Sequence, residues 1–587
     1  MGRPLIYQLL PRLFGNVNET RKPDGSLAEN GVGKFDDIND AALRSLREEL
    51  HITHLWLTGV PAQATATDYA SIGKPADNPS LLKGRAGSPY AIKDCGDVCP
   101  DYAIDPARRM EEFSALLGRA HRAGLGVLID FVPNHVSRSH RSALVNFGDA
   151  DERSRFFSPQ NNFFWLQPDS PGVRSPGADA RVSGNNAVTW SPTSNDWYET
   201  AKLNYGHDFT TGNRAYPHRD APDVPIPDTW LKMDAVLAHW QALGVDGFRC
   251  DMAHMVPPEF WAWAIGRARA RQPAIIFFAE AYDNDPMKVG AGNVMIDLIE
   301  AGFDAVYDDP AYKTLKRIYD GPAWANDLDA VLARQGTTIF QRSLRYAENH
   351  DEVRLAAKGH WGGNGMEVGR AVGGVLFGLS RGPVLLCSGQ EVGEPADGAE
   401  GFGGDDGRTT IFDYWSMPEL VKWVNGHRYD SARLSPRQKS LRGFYGRLLA
   451  ACSEPAFRDG EFFPLNPSNI DNPAFGRIPG EPASGHWLYS FARVDRSGGQ
   501  ICLVVVNLHP REKFRDIRVT LSEELIAAIV SSGGIVSADG HALVFADCVS
   551  GMDPITVRIR ADAAGVEVSV GELPPLTPAY FFANLSG

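Results

Sequence analysis

The sequence predicts an α/β fold: a (β/α)₈ TIM barrel with a small inserted domain after strand 3 and a C-terminal all-β sandwich. Short apolar runs, typical of buried strands, alternate with amphipathic stretches of helical period over most of the chain. After residue 455 this alternation gives way to short β-prone runs separated by Gly, Asp and Ser turns. This order of segments is typical of a barrel followed by a separate β domain.

Eight apolar runs supply the strands of the predicted barrel, and amphipathic stretches supply its helices. Strands are predicted at residues 5–13, 52–59, 126–131, 247–252, 274–279, 305–307, 343–347 and 382–387. Helices are predicted at residues 41–50, 107–123, 229–243, 259–271, 369–379 and 437–451. Gly124 and Gly244 each end a helix just before a buried strand, which favours parallel βα units.

The chain has 587 residues, enough for two or three domains. We expect the barrel at 1–135 and 207–455, the inserted domain at 136–206 and the sandwich at 456–587. The insert is predicted because its residues are rich in Asn, Ser, Pro, Gly and aromatics, and structureless loops of such length are uncommon. Its aromatic residues either form a small core or stack on a ligand: Phe163, Phe164, Trp165, Trp190, Trp197 and Tyr198.

The formal net charge of −14 argues against nucleic acid or an anionic membrane surface as a partner, and it is compatible with an uncharged substrate. No apolar run approaches the roughly 20 residues that a membrane-spanning helix needs. The first ten residues lack the pattern of a secretory signal. A cytoplasmic protein is therefore expected if the chain is complete, and a periplasmic or secreted one if a signal has been removed.

The seven cysteines are odd in number, and several lie inside apolar strand-like runs. This pattern predicts buried free thiols rather than a disulfide framework. Cys95 and Cys99 are close in sequence, but no second Cys/His pair at zinc spacing accompanies them.

Three acidic residues on separate segments carry the predicted chemistry: Asp251, Glu280 and Asp351. Each closes or follows a predicted strand, and barrel enzymes assemble acid–base sites from such strand ends. Glycoside hydrolysis needs one carboxyl at the anomeric carbon and another that protonates the leaving oxygen. Arg249 precedes Asp251 by two residues, so both share a strand face, where the arginine would keep Asp251 ionised. A structural salt bridge inside the barrel would use the same pair.

Four motifs, in order along the chain, make the prediction of a glycoside hydrolase more specific. Asp130-Phe-Val-Pro-Asn-His135, Gly247-Phe-Arg-Cys-Asp251, Ala279-Glu280 and Asn349-His-Asp351 resemble the motifs of the α-amylase family, glycoside hydrolase family 13. The resemblance extends over nearly the whole chain. Thr200-Ala-Lys-Leu-Asn204 is similar to a further, weaker motif of the family.

The resemblance implies a role for each matching residue. Asp251 would be the nucleophile, Glu280 the general acid/base and Asp351 the residue that stabilises the oxocarbenium-like transition state. The residues that would bind or orient the sugar are Tyr90, His135, Arg249 and His350. The alternatives are core packing for Tyr90 and turn positions for the histidines. Asn134 matches a position that often helps to ligate a structural Ca²⁺, or it forms a turn; the chemistry itself requires no cofactor.

The predicted function is that of a retaining hydrolase of α-glucosidic bonds, chiefly α-1,4 bonds, in starch-type oligo- or polysaccharides. A transglycosylase, or an exo-acting α-glucosidase on short or α-1,6-linked oligosaccharides, would use the same site. A non-catalytic binding subunit is disfavoured because all three acids are present. His254-Met255 and Ala281 depart from the pattern of starch-cleaving relatives at positions that help to form leaving-group subsites. Residues 389–409 are expected to form a rim of the site; the oligomeric state does not follow from the sequence.

Overall fold

The computed structural model describes residues 2–167, 179–189, 192–193, 195–290, 292–532, 541–559 and 566–585. Its centre is a closed barrel of eight parallel strands in which sequence neighbours are also spatial neighbours. The strands are β1 (Leu5–Leu9), β2 (His54–Leu57), β3 (Gly126–Phe131), β4 (Gly247–Cys250), β5 (Ile276–Ala279), β6 (Ala305–Tyr307), β7 (Ser343–Tyr346) and β8 (Val384–Cys387). The predicted (β/α)₈ barrel is therefore confirmed.

Helices surround this barrel. They are α1 (Asp40–Glu48), α2 (Arg109–Arg122), α3 (Asp228–Leu243), α4 (Pro258–Arg271), α5 (Val294–Ala301), α6 (Asp309–Asp320), α7 (Asp327–Gln341), α8 (Val368–Leu376) and α9 (Pro436–Cys452). Shorter helices lie at Pro11–Phe14, Leu27–Asn30, Leu420–Val424 and Pro455–Arg458. The strands are buried along nearly their whole length, as expected for a parallel sheet that is covered by helices on its outside.

Between β3 and α3 the chain leaves the barrel. Short antiparallel pairs join His135–Ser137 to Thr200–Lys202 and His207–Asp208 to Asn213–Arg214. Phe164, Leu166 and Val182 form a small core with Phe156, Phe157 and Phe209 around it. The boundaries 136–206 stay a prediction, and Trp190, like residues 168–178, lies outside the described residues. A further antiparallel pair, Pro61–Gln63 with Ile92–Val98, lies in the segment after β2.

The C-terminal part is antiparallel. Its strands are β9 (Glu461–Pro464), β10 (Leu488–Asp495), β11 (Gln500–Asn507), β12 (Phe514–Thr520), β13 (His541–Asp547), β14 (Ile555–Ile559), β15 (Glu567–Leu573) and β16 (Thr577–Asn584), with helix α10 (Glu523–Ser531) after β12. Six strands pair in the order β9-β10-β11-β16-β13-β14, and β12 pairs with β15. A separate apolar core joins residues of both sheets, such as Leu503, Val519 and Val568, which agrees with the predicted sandwich.

Other predictions from the sequence can be compared with the structure. All seven cysteines are free; Cys548 alone is exposed, whereas the others are buried as predicted. In the described part of the chain, no helix is both long enough and apolar enough to cross a membrane. Helices α5, α6 and α7 were not predicted, because the run between Asn293 and Gln341 is interrupted by Gly302, Gly321 and Gly336.

Candidate active site

The three acids predicted from the sequence lie together at the carboxyl end of the barrel. Asp251 follows the last residue of β4, Glu280 follows the last residue of β5, and Asp351 lies five residues beyond β7. All three line one cavity of about 760 Å³. Strands that run parallel around a barrel present these ends on one face, and this is why residues distant in sequence converge there.

Arg249 forms ion pairs with two of the acids, Asp251 and Glu280. Its Nη1 lies 2.7 Å from Asp251 Oδ1, and its Nη2 lies 2.8 Å from Glu280 Oε2. Asp130 Oδ1 is 3.5 Å from Nη1, and Nε donates to the Tyr307 hydroxyl at 3.2 Å. The sequence indicated the Asp251 contact, because both residues lie on β4. The contact to Glu280 arises from the register of the barrel, in which Arg249 pairs with Phe278 of β5.

One guanidinium therefore serves several buried carboxyls. Burial raises the pKa of Asp251 above its ordinary value, and the contact with Arg249 only partly opposes this. Burial likewise raises the pKa of Glu280, to about 7, although the positive charge of Arg249 lowers it. Because one positive charge cannot compensate all of these carboxylates in a buried site, we expect Glu280 to hold a proton near neutral pH.

The turn after β4 links the two acids through the backbone. Met252 adopts a left-handed conformation with φ of 44°, which is uncommon for a residue with a side chain. This conformation directs its N–H to Glu280 Oε2 at 2.8 Å. The Tyr282 hydroxyl donates to Glu280 Oε1 at 3.3 Å. Met252 also lines the cavity, which the sequence did not predict.

Asp251 differs from Glu280 because one of its carboxylate oxygens has no hydrogen-bond partner among the described residues. Its Oδ1 accepts from Arg249, whereas its buried Oδ2 has no hydrogen-bond partner among the described residues. A buried, unpaired carboxylate oxygen is uncommon in proteins and needs a reason. This oxygen is therefore available to a reacting atom in the cavity.

His350 lies behind the cavity wall and organises its neighbours. Its Nδ1 is 2.6 Å from Gln8 Nε2, and its Nε2 is 2.6 Å from the Tyr90 hydroxyl and 2.9 Å from Asp351 Oδ2. Burial alone would raise the pKa of Asp351, but His350 holds it below its ordinary value. His350 is thus placed to orient Asp351 and Tyr90, since both of its ring nitrogens are already engaged. Among the predicted sugar-binding residues, Arg249 is likewise covered and does not line the cavity.

Tyr90 and His135 do line the cavity. The Tyr90 ring is half-buried and stacks on His350, with ring centroids 5.4 Å apart. Burial lowers the pKa of His135 to about 3, helped by Lys202 and Lys83, so its imidazole is neutral. A ring contact of 5.3 Å joins His135 to Trp197 of the insert. Trp197 and Tyr198 line the cavity, whereas Phe163, Phe164 and Trp165 are buried in the insert.

Asn134 does not fit the calcium site that the resemblance implied. Its Oδ1, the atom that would bind a cation, accepts a hydrogen bond from Lys202 Nζ, and its Nδ2 donates to Gly184 O at 2.8 Å. Lys202 is buried and also donates to Met255 O at 3.2 Å. Among the described residues, no group of three or more His, Cys, Asp or Glu side chains could hold a metal ion. Lys202 Nζ thus lies where a cation would contact Asn134 Oδ1, although burial lowers the pKa of this lysine to about 7.

The departures noted in the sequence have a structural explanation. His254 is fully buried, and its Nε2 lies 2.9 Å from Asp285 Oδ2, while Ala281 is 1% exposed. Neither residue lines the cavity, and Met252 lines it on the β4 side instead. The expectation that His254 and Ala281 help to form subsites is therefore not supported by their positions. The rim expected at 389–409 contributes Phe402, Gly403 and Arg408.

Comparisons with known proteins agree with this arrangement. Residues 8–276 match the family model for the α-amylase catalytic domain. The chain is 27% identical over 398 residues to alpha-amylase MalA of Haloarcula japonica, an alignment that covers 66% of this chain and 44% of MalA. It is 23% identical over 429 residues to an oligo-1,6-glucosidase of Heyndrickxia coagulans, with 67% and 66% covered. Each alignment spans less than two thirds of the relative, and that with MalA less than half.

A solved structure shares the fold. The α-amylase of Geobacillus thermoleovorans, solved in complex with acarbose, superposes with a TM-score of 0.59 at 17% identity and covers 99% of this chain and 98% of that one. The catalytic-domain match runs from β1 to the first residue of β5 and includes Arg249 and Asp251 but not Glu280. The α-amylase family of glycoside hydrolases is thus the family whose catalytic domain residues 8–276 of this chain match.

Proposed function

We propose that this protein is a retaining glycoside hydrolase that cleaves α-glucosidic bonds, chiefly α-1,4 bonds, in starch-type oligo- or polysaccharides. The observation that carries the proposal is the shared arginine. Asp251 and Glu280 contact neighbouring nitrogens of the Arg249 guanidinium, at 2.7 and 2.8 Å. This favours the separation of about 5–5.5 Å between carboxyls that a retaining enzyme uses, rather than the roughly 6.5–9.5 Å of an inverting one.

Asp251 is the proposed nucleophile. Arg249 fixes Oδ1 and leaves Oδ2 without a partner among the described residues, so this oxygen can attack the anomeric carbon. The bond between that carbon and the leaving oxygen breaks as Glu280 transfers its proton to the oxygen. A covalent glucosyl ester on Asp251 results.

Glu280 then acts as the base. Its carboxylate accepts a proton from water, the water oxygen bonds to the anomeric carbon, and the ester bond to Asp251 breaks. Two displacements restore the starting configuration, so the product is the α-anomer. The raised pKa of Glu280 supports the assignment, because a general acid works best when its pKa lies near the operating pH.

The remaining cavity residues would bind the sugar. We assign Asp351 to the stabilisation of the oxocarbenium-like transition state, since His350 keeps this carboxyl ionised. Tyr90 would stack on the sugar ring and neutral His135 would hydrogen-bond a hydroxyl. His350 and Arg249 act through these neighbours, as their contacts indicate.

The test is the stereochemistry of the first product together with one variant. Proton NMR during hydrolysis of α-glucosyl fluoride, whose leaving group has no anomeric centre, should show α-glucose appearing first, and Asp251→Asn should lose turnover. Release of the β-anomer would exclude a retaining mechanism. Undiminished turnover in Asp251→Asn would exclude Asp251 as the nucleophile.

A further inference from the structure

Three separate segments join to form one wall of the cavity. The segment after β2 contributes Lys83, Gly84 and Ser88, the insert contributes residues 195 and 197–200, and the segment after β8 contributes residues 402–403, 408 and 411–413. The first and third segments are in direct backbone contact, because Ala86 N–H donates to Phe412 O at 3.0 Å. Gly84 allows this approach: at its φ of 63°, a Cβ would lie 2.3 Å from the same oxygen.

An ion pair joins two of these segments, the one after β2 and the insert. Lys83 Nζ lies 3.0 Å from Glu199 Oε1, with side chains that are 24% and 4% exposed. The ammonium is 5.9 Å from the ring centroids of both Tyr198 and Phe412. The Tyr198 hydroxyl also donates to Leu82 O at 2.8 Å. The segment after β2 and the insert are thus tied by two adjacent polar contacts.

Glu199 keeps one oxygen free at this position. Its buried Oε2 has no hydrogen-bond partner among the described residues. A buried carboxylate oxygen without a partner loses its hydration without a compensating hydrogen bond, unless a ligand supplies the missing donor. Because Glu199 lines the cavity, a sugar hydroxyl is a suitable donor.

The part of the cavity that receives the leaving group is formed by residues of other segments. Glu280 protonates the leaving oxygen in the proposed function, so the leaving group must lie beside Glu280 and its neighbour Met252. These two are the cavity-lining residues that the segments after β4 and β5 contribute beyond Asp251. The wall of Lys83, Glu199 and Phe412 comes from the segment after β2, the insert and the segment after β8, and not from the segments after β4 and β5.

We propose that the Lys83–Glu199 pair closes the non-reducing end of the binding cavity and makes the enzyme exo-acting, so that it releases single glucose units from short oligosaccharides. Glu199 Oε2 accepts a hydrogen bond from a hydroxyl of the terminal glucosyl unit, and Lys83 blocks a chain that continues past it. The inference rests on the proposed function, because it deepens the substrate choice of the same site.

The test compares two forms of p-nitrophenyl maltoheptaoside, one with a free non-reducing end and one whose terminal glucose carries a 4,6-O-ethylidene block. The wild type should release glucose first from the free substrate and should cleave the blocked one at least about 100-fold more slowly. Lys83→Ala should raise the ratio of blocked to free cleavage about tenfold, and Lys83→Met, which keeps the aliphatic stem, should raise it less. Glu199→Gln should raise KM for maltose with little change in kcat.

Lys93→Ala is the matched control. Lys93 forms a comparable ion pair with Asp77 at 2.9 Å, with side chains that are 15% and 6% exposed, but it does not line the cavity. A wild type that cleaves both substrates at similar rates, or that releases maltose or longer fragments first, would overturn the inference. So would the same ratio in the Lys83→Ala and Lys93→Ala variants.

Failure of the proposed function gives a different result. In that case the wild type would hydrolyse neither substrate, nor maltose, whatever residue stands at position 83. If only the inference about the Lys83–Glu199 pair is wrong, the wild type still hydrolyses both substrates, and this hydrolysis still depends on Asp251.

Discussion

Replacement of Glu280 by Gln tests the charge arrangement of the site most directly. We expect kcat/KM of the wild type on maltose to fall as the pH rises through about 7, because the acid form of Glu280 is lost there. Glu280→Gln cannot titrate, so this basic limb should be absent from its profile. The variant should also lose about 100- to 10,000-fold in activity on maltose, the usual contribution of a general acid.

Glu280→Gln should also change how the free energy of unfolding depends on pH, because the pKa of Glu280 is raised in the folded protein. Its side chain is 6% exposed, and this burial, with Asp251 nearby, raises the pKa from 4.5 to about 7 although Arg249 Nη2 lies 2.8 Å away. Such a shift corresponds to about 3 kcal/mol. The folded protein binds this proton more tightly than the unfolded chain, so the stabilisation is complete below about pH 4.5 and is lost as the pH rises through about 7. The stability of Glu280→Gln relative to the wild type should therefore rise by up to about 3 kcal/mol from acidic to mildly basic pH.

Two substrates separate the acid role from general damage to the site. The burst of fluoride from α-glucosyl fluoride needs no proton on the leaving group, so Glu280→Gln should retain far more of this burst than of its maltose activity. Glu48→Gln removes an exposed carboxyl on α1 and should reproduce the wild-type pH profile and stability curve. A basic limb that persists in Glu280→Gln, or equal losses on both substrates, would refute the reasoning.

Four further predictions concern the surroundings of the acids. Arg249→Lys should lower kcat about 100- to 1,000-fold, because one ammonium cannot contact both carboxyls as the guanidinium does; steady-state kinetics would show this. Lys202→Met should lower the free energy of unfolding by about 1–3 kcal/mol, since Asn134 Oδ1 and Met255 O lose their donor, whereas a calcium chelator should change neither the melting temperature nor the activity of the wild type. Gly84→Ala should strain the contact with Phe412 by about 1–3 kcal/mol and raise KM for maltose. At high maltose concentration, chromatography of the products should show glucose as the main species if water resolves the intermediate, and longer oligosaccharides if the enzyme is a transglycosylase.

The sequence was sufficient for the parts of the structure that depend on local pattern. The eight strands could be located because parallel strands buried on both faces are continuous apolar runs bounded by turn residues, as at Val384–Cys387. Asp251 and Glu280 could be identified because they follow such runs directly. Asp351 could be found only through its motif, since it lies beyond the end of β7.

Contacts that depend on barrel register or on long loops could not be predicted. The ion pair between Arg249 and Glu280 crosses from β4 to β5, and no spacing in the sequence encodes it. Lys202 was placed in a family-like motif, but its position against Asn134 requires the antiparallel pairing of His135–Ser137 with Thr200–Lys202. Lys83 and Glu199 are more than a hundred residues apart in segments without a regular period. Charged residues in such segments are usually solvated, so their pairing was not expected.

The shared arginine also explains how Glu280 could change its role between the two steps. In the free enzyme, Arg249 divides its charge between Asp251 and Glu280, and Glu280 keeps its proton. In the proposed mechanism, Asp251 is converted to a neutral glucosyl ester, and its negative charge then no longer competes for the guanidinium. Both remaining effects, the loss of repulsion from Asp251 and the undivided attraction of Arg249, lower the pKa of Glu280. Under this proposal, the carboxyl that acts as an acid in the first step becomes the carboxylate that the second step requires.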